Sequence, residues 1–194
     1  MEAACLRGRL QTTEAVEACR MLPDSMELLC LSGGDKSVSV IGACRQLPDN
    51  MEAICLRGNI GSSDEINACR SLPDDDEKIC LMGGGNGRDG SGPTGKSAAV
   101  IRACSMLPDQ MERACLRGGL QSTNAIEACR MLPDSMEILC LKGSDKSVEV
   151  IGACRMLPDA MESLCLSGNL TSVDEVNACR ALPDSQEKIC LLGN

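Results

Sequence analysis

Fifteen cysteines are the residues of this 194-residue chain best able to do chemistry. A thiolate attacks electrophiles, binds soft metals or oxidises to a disulfide, and spacing selects among these. From Cys19 to Cys190 the cysteines step by 11, 14, 11 and so on, with one interval of 24 between Cys80 and Cys104. Neither Cys-x-x-Cys nor Cys-x-x-x-Cys occurs, so no two thiolates share one turn of a helix face. Storage of Cu(I) or another soft metal, with thioether help from methionine, is therefore a lesser reading. The chain has no histidine. That removes the usual general base and the partner of a nucleophilic cysteine. Evenly paired cysteines without a base point to a disulfide ladder.

Two pairings keep the period: Cys19 with Cys30, or Cys30 with Cys44. Around the Pro23-Asp24 corner, Cys19 and Cys30 lie at similar heights on a helical hairpin. Around the Gly33–Ser37 turn, Cys30 and Cys44 are offset by roughly 6 Å at 1.5 Å per residue, too far for easy bridging. The expected bonds are Cys19–Cys30, Cys44–Cys55, Cys69–Cys80, Cys104–Cys115, Cys129–Cys140, Cys154–Cys165 and Cys179–Cys190. Each closes a short loop worth roughly 3 kcal/mol in a chain-entropy account. Cys5 is left over, unpaired or available for an intermolecular bond.

Three other motifs carry chemistry. Residues Gly90 to Ser97 match the phosphate-loop pattern G-x4-G-K-[ST], followed by a helix. The loop lacks the preceding strand and an acidic Mg²⁺ partner, so it reads as linker, with at most weak anion binding at Ser97. Residues 84–89 resemble a single glycine-rich Ca²⁺-binding repeat, which works only when stacked in many copies. Asn169-Leu170-Thr171 is a glycosylation sequon. No catalytic residue, cofactor site or metal site is assigned.

The elements that must position the cysteines follow from residues 147–168. Ser147 is an N-cap, and Ile151, Cys154 and Leu157 form the apolar stripe of a short helix A. Pro158 ends it. Asp159 and Glu162 read as a capping box opening helix B, which carries Met161, Leu164, Cys165 and Leu166. Gly168 reads as the left-handed residue that stops helix B. The same signals recur every 25 residues, with caps at Thr12, Ser37, Ser62, Ser97, Ser122, Ser147 and Ser172. Strict alternation is absent, which argues against a β-solenoid. The expectation is an all-α, right-handed-type αα-solenoid of two-helix repeats, one disulfide each, with about fifteen short helices. The methionines read as core. The arginines at 20, 45, 70, 130, 155 and 180 read as a solvated ion-pair ladder near helix C-termini.

Residues 1–84 align without a gap to 111–194, with 61 of 84 positions identical. Four repeats plus a ten-residue insertion make this 110-residue super-period. The expected organisation is a solenoid segment 1–84, a Gly-rich flexible insert 85–96 and a second segment 97–194, forming one continuous solenoid. Met1 corresponds to Met111, so the chain is expected to open inside a repeat, with the natural partner of Cys5 upstream.

Composition excludes several function classes. There is no Phe, Trp or Tyr on which a base can stack, and the net charge of -9 disfavours a nucleic-acid partner. The apolar runs are too short to span a membrane. The ladder implies an oxidising compartment, extracellular, periplasmic or at a cell surface. The expected function is structural. The chain reads as a repeat subunit of a fibre, filament or surface layer that associates with itself head-to-tail through uncapped ends, or continues as a longer chain. The alternative is a secreted binding module for a peptide or protein. Nothing in the sequence assembles an enzyme.

Overall fold

The computed structural model describes residues 12–33, 36–58, 60–82 and 96–193. The described residues form fourteen helices of seven to nine residues and no strand. In chain order they are α1 (Thr13–Arg20), α2 (Asp24–Ser32), α3 (Val38–Cys44), α4 (Asp49–Arg57), α5 (Ser63–Cys69), α6 (Asp74–Leu81) and α7 (Ala98–Ser105). Then follow α8 (Asp109–Arg117), α9 (Thr123–Arg130), α10 (Asp134–Lys142), α11 (Val148–Cys154), α12 (Asp159–Ser167), α13 (Val173–Arg180) and α14 (Asp184–Leu191). Odd numbers are A helices and even numbers B helices. The helix expected around Cys5 and residues 85–95 of the expected insert 85–96 lie outside the described residues.

The A helices start as the sequence implies. Thr12, Ser37, Ser62, Ser97, Ser147 and Ser172 each accept from the amide three residues on, at 3.2–3.4 Å. Ser122 makes no such bond. The B helices start differently from expectation. Proline, not aspartate, is the N-cap, held near φ -56 to -60°. The Pro158 carbonyl accepts from Met161 at 2.7 Å and Glu162 at 2.8 Å, so the helix begins one residue early. Asp159 is then the first helical residue, and its side chain makes no capping bond. It still favours the positive end of the helix dipole. A full capping box forms on an A helix: Ser172 accepts from the Glu175 amide, and Glu175 Oε2 reaches back to accept from the Ser172 amide at 3.1 Å.

Helix B also stops differently. Gly33, Gly58, Gly118, Gly143 and Gly168 have φ between -65 and -74°, extended rather than left-handed. Among the described residues only Gly193, at φ +71°, takes the left-handed form.

Two compact units, Met1–Ile101 and Arg102–Asn194, share one plan. In the first, α1, α3 and α5 stack in order as one layer, and α2, α4 and α6 as the other. In the second, α9, α11 and α13 stack in one layer and α8, α10, α12 and α14 in the other. In these stacks each A helix packs on the B helix of its own repeat, as α1 on α2 and α13 on α14. Between the layers lie Ile41, Leu56, Ile66, Leu81, Leu116, Ile126, Leu141, Ile151 and Leu166, all at most 1% exposed. Leu47, Leu132 and Leu157, each two residues before the B-helix aspartate, seal the corner at 6%. The architecture is a helical-repeat solenoid with one disulfide per repeat. No described helix is long and apolar enough to cross a membrane.

Candidate functional site

The disulfide spine is the first feature that these elements position. Bonds join Cys19 to Cys30, Cys44 to Cys55, Cys69 to Cys80, Cys104 to Cys115, Cys129 to Cys140, Cys154 to Cys165 and Cys179 to Cys190. Cα–Cα separations are 5.4–5.6 Å, the ordinary bridging distance. Every bond runs from the A helix to the B helix of one repeat, because the proline corner brings the two cysteines level. Most of these cysteines are fully buried, while Cys190 is half-exposed. Cys5 lies outside the described residues. All described cysteines are oxidised, so none is a thiolate able to attack or to hold a soft metal.

The seam between repeats is the second feature. A Cβ added to Gly33, Gly58, Gly118, Gly143 or Gly168 would overlap the backbone oxygen of Leu56, Leu81, Leu141, Leu166 or Leu191, respectively. In each case the partner lies 23 residues on, at the end of the next B helix. Glycine is required here for close approach of two backbones. Sequence reasoning placed these glycines at the ends of the B helices, where they stand, but gave them a left-handed conformation and missed the stacking contact. A helix stop and a stacking contact have the same 25-residue period.

Lysines reinforce the seam, and sequence reasoning missed them. Lys36 Nζ donates to the Gly58 carbonyl at 2.7 Å, and Lys146 Nζ to the Gly168 carbonyl at 2.6 Å. Lys146 also reaches Ser144 Oγ at 2.9 Å, and Ser144 Oγ donates to the same Gly168 oxygen at 2.9 Å. Lys36, Lys96 and Lys146 are 3%, 7% and 2% exposed. Burial lowers the Lys146 pKa to about 8, against a smaller upward pull from Asp145. The signal was present as a lysine directly before the Ser37, Ser97 and Ser147 caps. Lys96 is the lysine of the phosphate-loop-like run, whose Gly90–Gly95 lies outside the described residues, as does the 84–89 motif.

The corner joining helix A to helix B forms an exposed edge. The arginines at 20, 45, 70, 130, 155 and 180 are all exposed on it, and none joins an ion pair. The expected ladder fails because the nearest glutamates sit one turn inside helix B. Burial raises the pKa values of Glu52, Glu137 and Glu162, and Arg45, Arg130 and Arg155 offset only part of the rise. Glu77 is raised by burial and by Asp74, with Arg70 opposing. The methionine expectation also needs correction. Met51 is buried, but Met21, Met106, Met131 and Met156 are 72–78% exposed, each within two residues of the end of helix A. Asn169 of the sequon is exposed.

The outer face of α14 is the last feature. Leu182, Ile189 and Leu192 are 38%, 59% and 37% exposed. The counterpart of Leu182 one repeat earlier, Leu157, is 6% exposed, with α13 and α14 stacked beyond its repeat. Two shallow depressions lie among the described residues. One, of about 310 Å³, is lined by Ala53, Ile54, Arg57, Gly58 and Met82. The other, of about 420 Å³, is lined by Pro108, Asp109, Gln110, Met111, Asp134 and Ile138. Among the described residues no three His, Cys, Asp or Glu side chains cluster as a metal site. Comparison with protein-family models, curated proteins and solved structures finds no match to this chain.

Proposed function

We propose that this chain is a non-enzymatic structural protein, a disulfide-stapled subunit of an extracellular or periplasmic fibre or surface layer. Subunits add head-to-tail, each placing a repeat on the apolar α14 face of the next. The observation that carries this reading is the exposure of Leu182 and Ile189: the counterparts Leu132 and Leu157 of Leu182 are buried, and Leu139 and Leu164, the counterparts of Ile189, are partly covered where a further repeat is stacked on them. A repeat surface that meets a different surface of an identical copy is heterologous. If the rotation does not close, it gives a filament. Seven oxidised bonds suit an oxidising compartment, where they also resist unfolding by chemical stress.

Electron microscopy of the oxidised protein at high micromolar concentration tests this reading. Polymers are expected, and Ile189→Lys should shorten them sharply while leaving helicity intact. Wild-type protein that stays monomeric under these conditions would overturn it. The Ala53–Met82 depression, apolar with Arg57 at its rim, favours a second reading, a module that binds a peptide or protein. Such a module would remain monomeric.

A further inference from the structure

We propose that the exposed A–B edge of the second unit is a lateral docking surface for a second copy of this chain, with the two copies parallel. Three rows run along this edge. Arg130 and Arg180 end α9 and α13, Arg155 caps the end of α11, and Asp109, Asp134, Asp159 and Asp184 begin the B helices. Met106, Met131 and Met156 stand between them, exposed by 76%, 72% and 78% in three consecutive repeats. All of these arginines and aspartates are exposed, and none is engaged in an ion pair within the chain. Exposed apolar side chains aligned in a row, rimmed by charge, mark an interaction surface.

Charge selects both the partner and its orientation. The basic row lies on the A side and the acidic row on the B side, so the edge is complementary to itself. Facing edges related by a two-fold axis along the stacking direction set each A side against the partner's B side. Arginines then meet aspartates, and the methionine rows meet in the middle. A two-fold axis across the stack would set arginine on arginine. The acidic side has a receptacle. The depression of about 420 Å³ between Asp109 and Asp134 has Met111 and Ile138 in its wall. Carboxylates at the rim and an apolar wall suit an arginine, whose stem is apolar and whose head is a fork of donors. An unrelated basic protein would meet the arginine row with like charge. This surface is separate from the α14 face and does not depend on head-to-tail growth.

The test is sedimentation of full-length, oxidised protein with free thiols alkylated. Dimers or wider assemblies are expected at low salt, with the dissociation constant rising at least about tenfold toward 1 M salt as screening shortens to about 3 Å. Arg130→Glu with Arg155→Glu should abolish lateral pairing, and so should Asp134→Arg with Asp159→Arg. A mixture of these two variants should pair again. A chain carrying all four changes should pair with itself but not with wild type, because only the parallel arrangement makes those edges clash. Heterodimers between that chain and wild type would overturn the orientation. Pairing unchanged by the arginine reversals, or no pairing at low salt, would overturn the surface itself. Circular dichroism of each variant checks that the helices persist. Polymer length in micrographs reports separately on the α14 face.

Discussion

A single glycine decides how closely two repeats approach. Gly143 and Gly168 touch the carbonyls of Leu166 and Leu191, whereas Gly152, inside α11, has no heavy atom within 4 Å of an added Cβ. Gly168→Ala should therefore lower stability by about 1–3 kcal/mol through overpacking. Gly152→Ala should raise it by about 0.5–1 kcal/mol through helix propensity. Guanidinium melts of the two oxidised variants read this contrast directly, and equal effects would remove the close-approach account. At the same seam Lys146 titrates near pH 8, below the ordinary 10.5. Between those values the unfolded chain holds a proton that the folded chain has released. Stability should therefore rise as pH increases from about 8 to 10.5, by on the order of 1–3 kcal/mol, and fall as pH returns. Lys146→Met should flatten that slope in melts of thiol-alkylated protein. The cysteine pairs were legible before the structure because a bridge needs two cysteines level on a hairpin. The lysines were not legible. Their place before the Ser37, Ser97 and Ser147 caps recurs in the sequence, but burial of the charge depends on a carbonyl 22 residues away, which that placement does not announce.

Short helices rely on their ends, and the two ends of each repeat differ. Ser172 accepts from Glu175 while Ser122 accepts nothing, although the two caps look alike in sequence. Ser172→Ala should cost about 1 kcal/mol, and Ser122→Ala should be nearly neutral, in denaturant melts. Glu175 helps by accepting from the Thr171 and Ser172 amides, which lowers its pKa. The A-helix starts could be read from the serine punctuation. The B-helix starts were misplaced by one residue because Asp-x-x-Glu imitates a capping box. Proline's fixed φ already supplies cap geometry, and its carbonyl takes the first helical bonds. The disulfide between the two helices acts at this scale too. Cys154→Ser with Cys165→Ser should cost roughly 3 kcal/mol and lower the melting midpoint of the second unit.

Across the molecule, a net charge of -9 would ordinarily suggest loss of stability in acid as carboxylate contacts break. The glutamates point the other way. Glu52, Glu77, Glu137 and Glu162 have folded pKa values raised by burial, so the folded state keeps protons that the unfolded state releases just above pH 4.5. Their contribution is present at lower pH and is lost as pH rises through the folded values. Glu149 and Glu175, lowered by hydrogen bonds, oppose this and are exposed. The melting temperature should hold or rise between pH 7 and pH 5, and a steep fall there would count against the buried glutamates. At this scale the repeat period, the helical class and the two-layer stack could all be read from spacing alone. The row of exposed methionines could not. A methionine after helix A has the same sequence context as a core residue, and only the stacked corner shows that it points to solvent.

The account rests on bonds made within repeats, and trypsin separates this pattern from its rival. Cleavage of the unreduced protein after Arg9, Arg20, Lys36, Arg45 and Arg57 puts Cys19, Cys30, Cys44 and Cys55 on four peptides. Mass spectrometry should find peptide 10–20 joined to 21–36, and 37–45 joined to 46–57. Peptide 21–36 joined to 37–45 would link each B helix to the following A helix and contradict the stapled repeat.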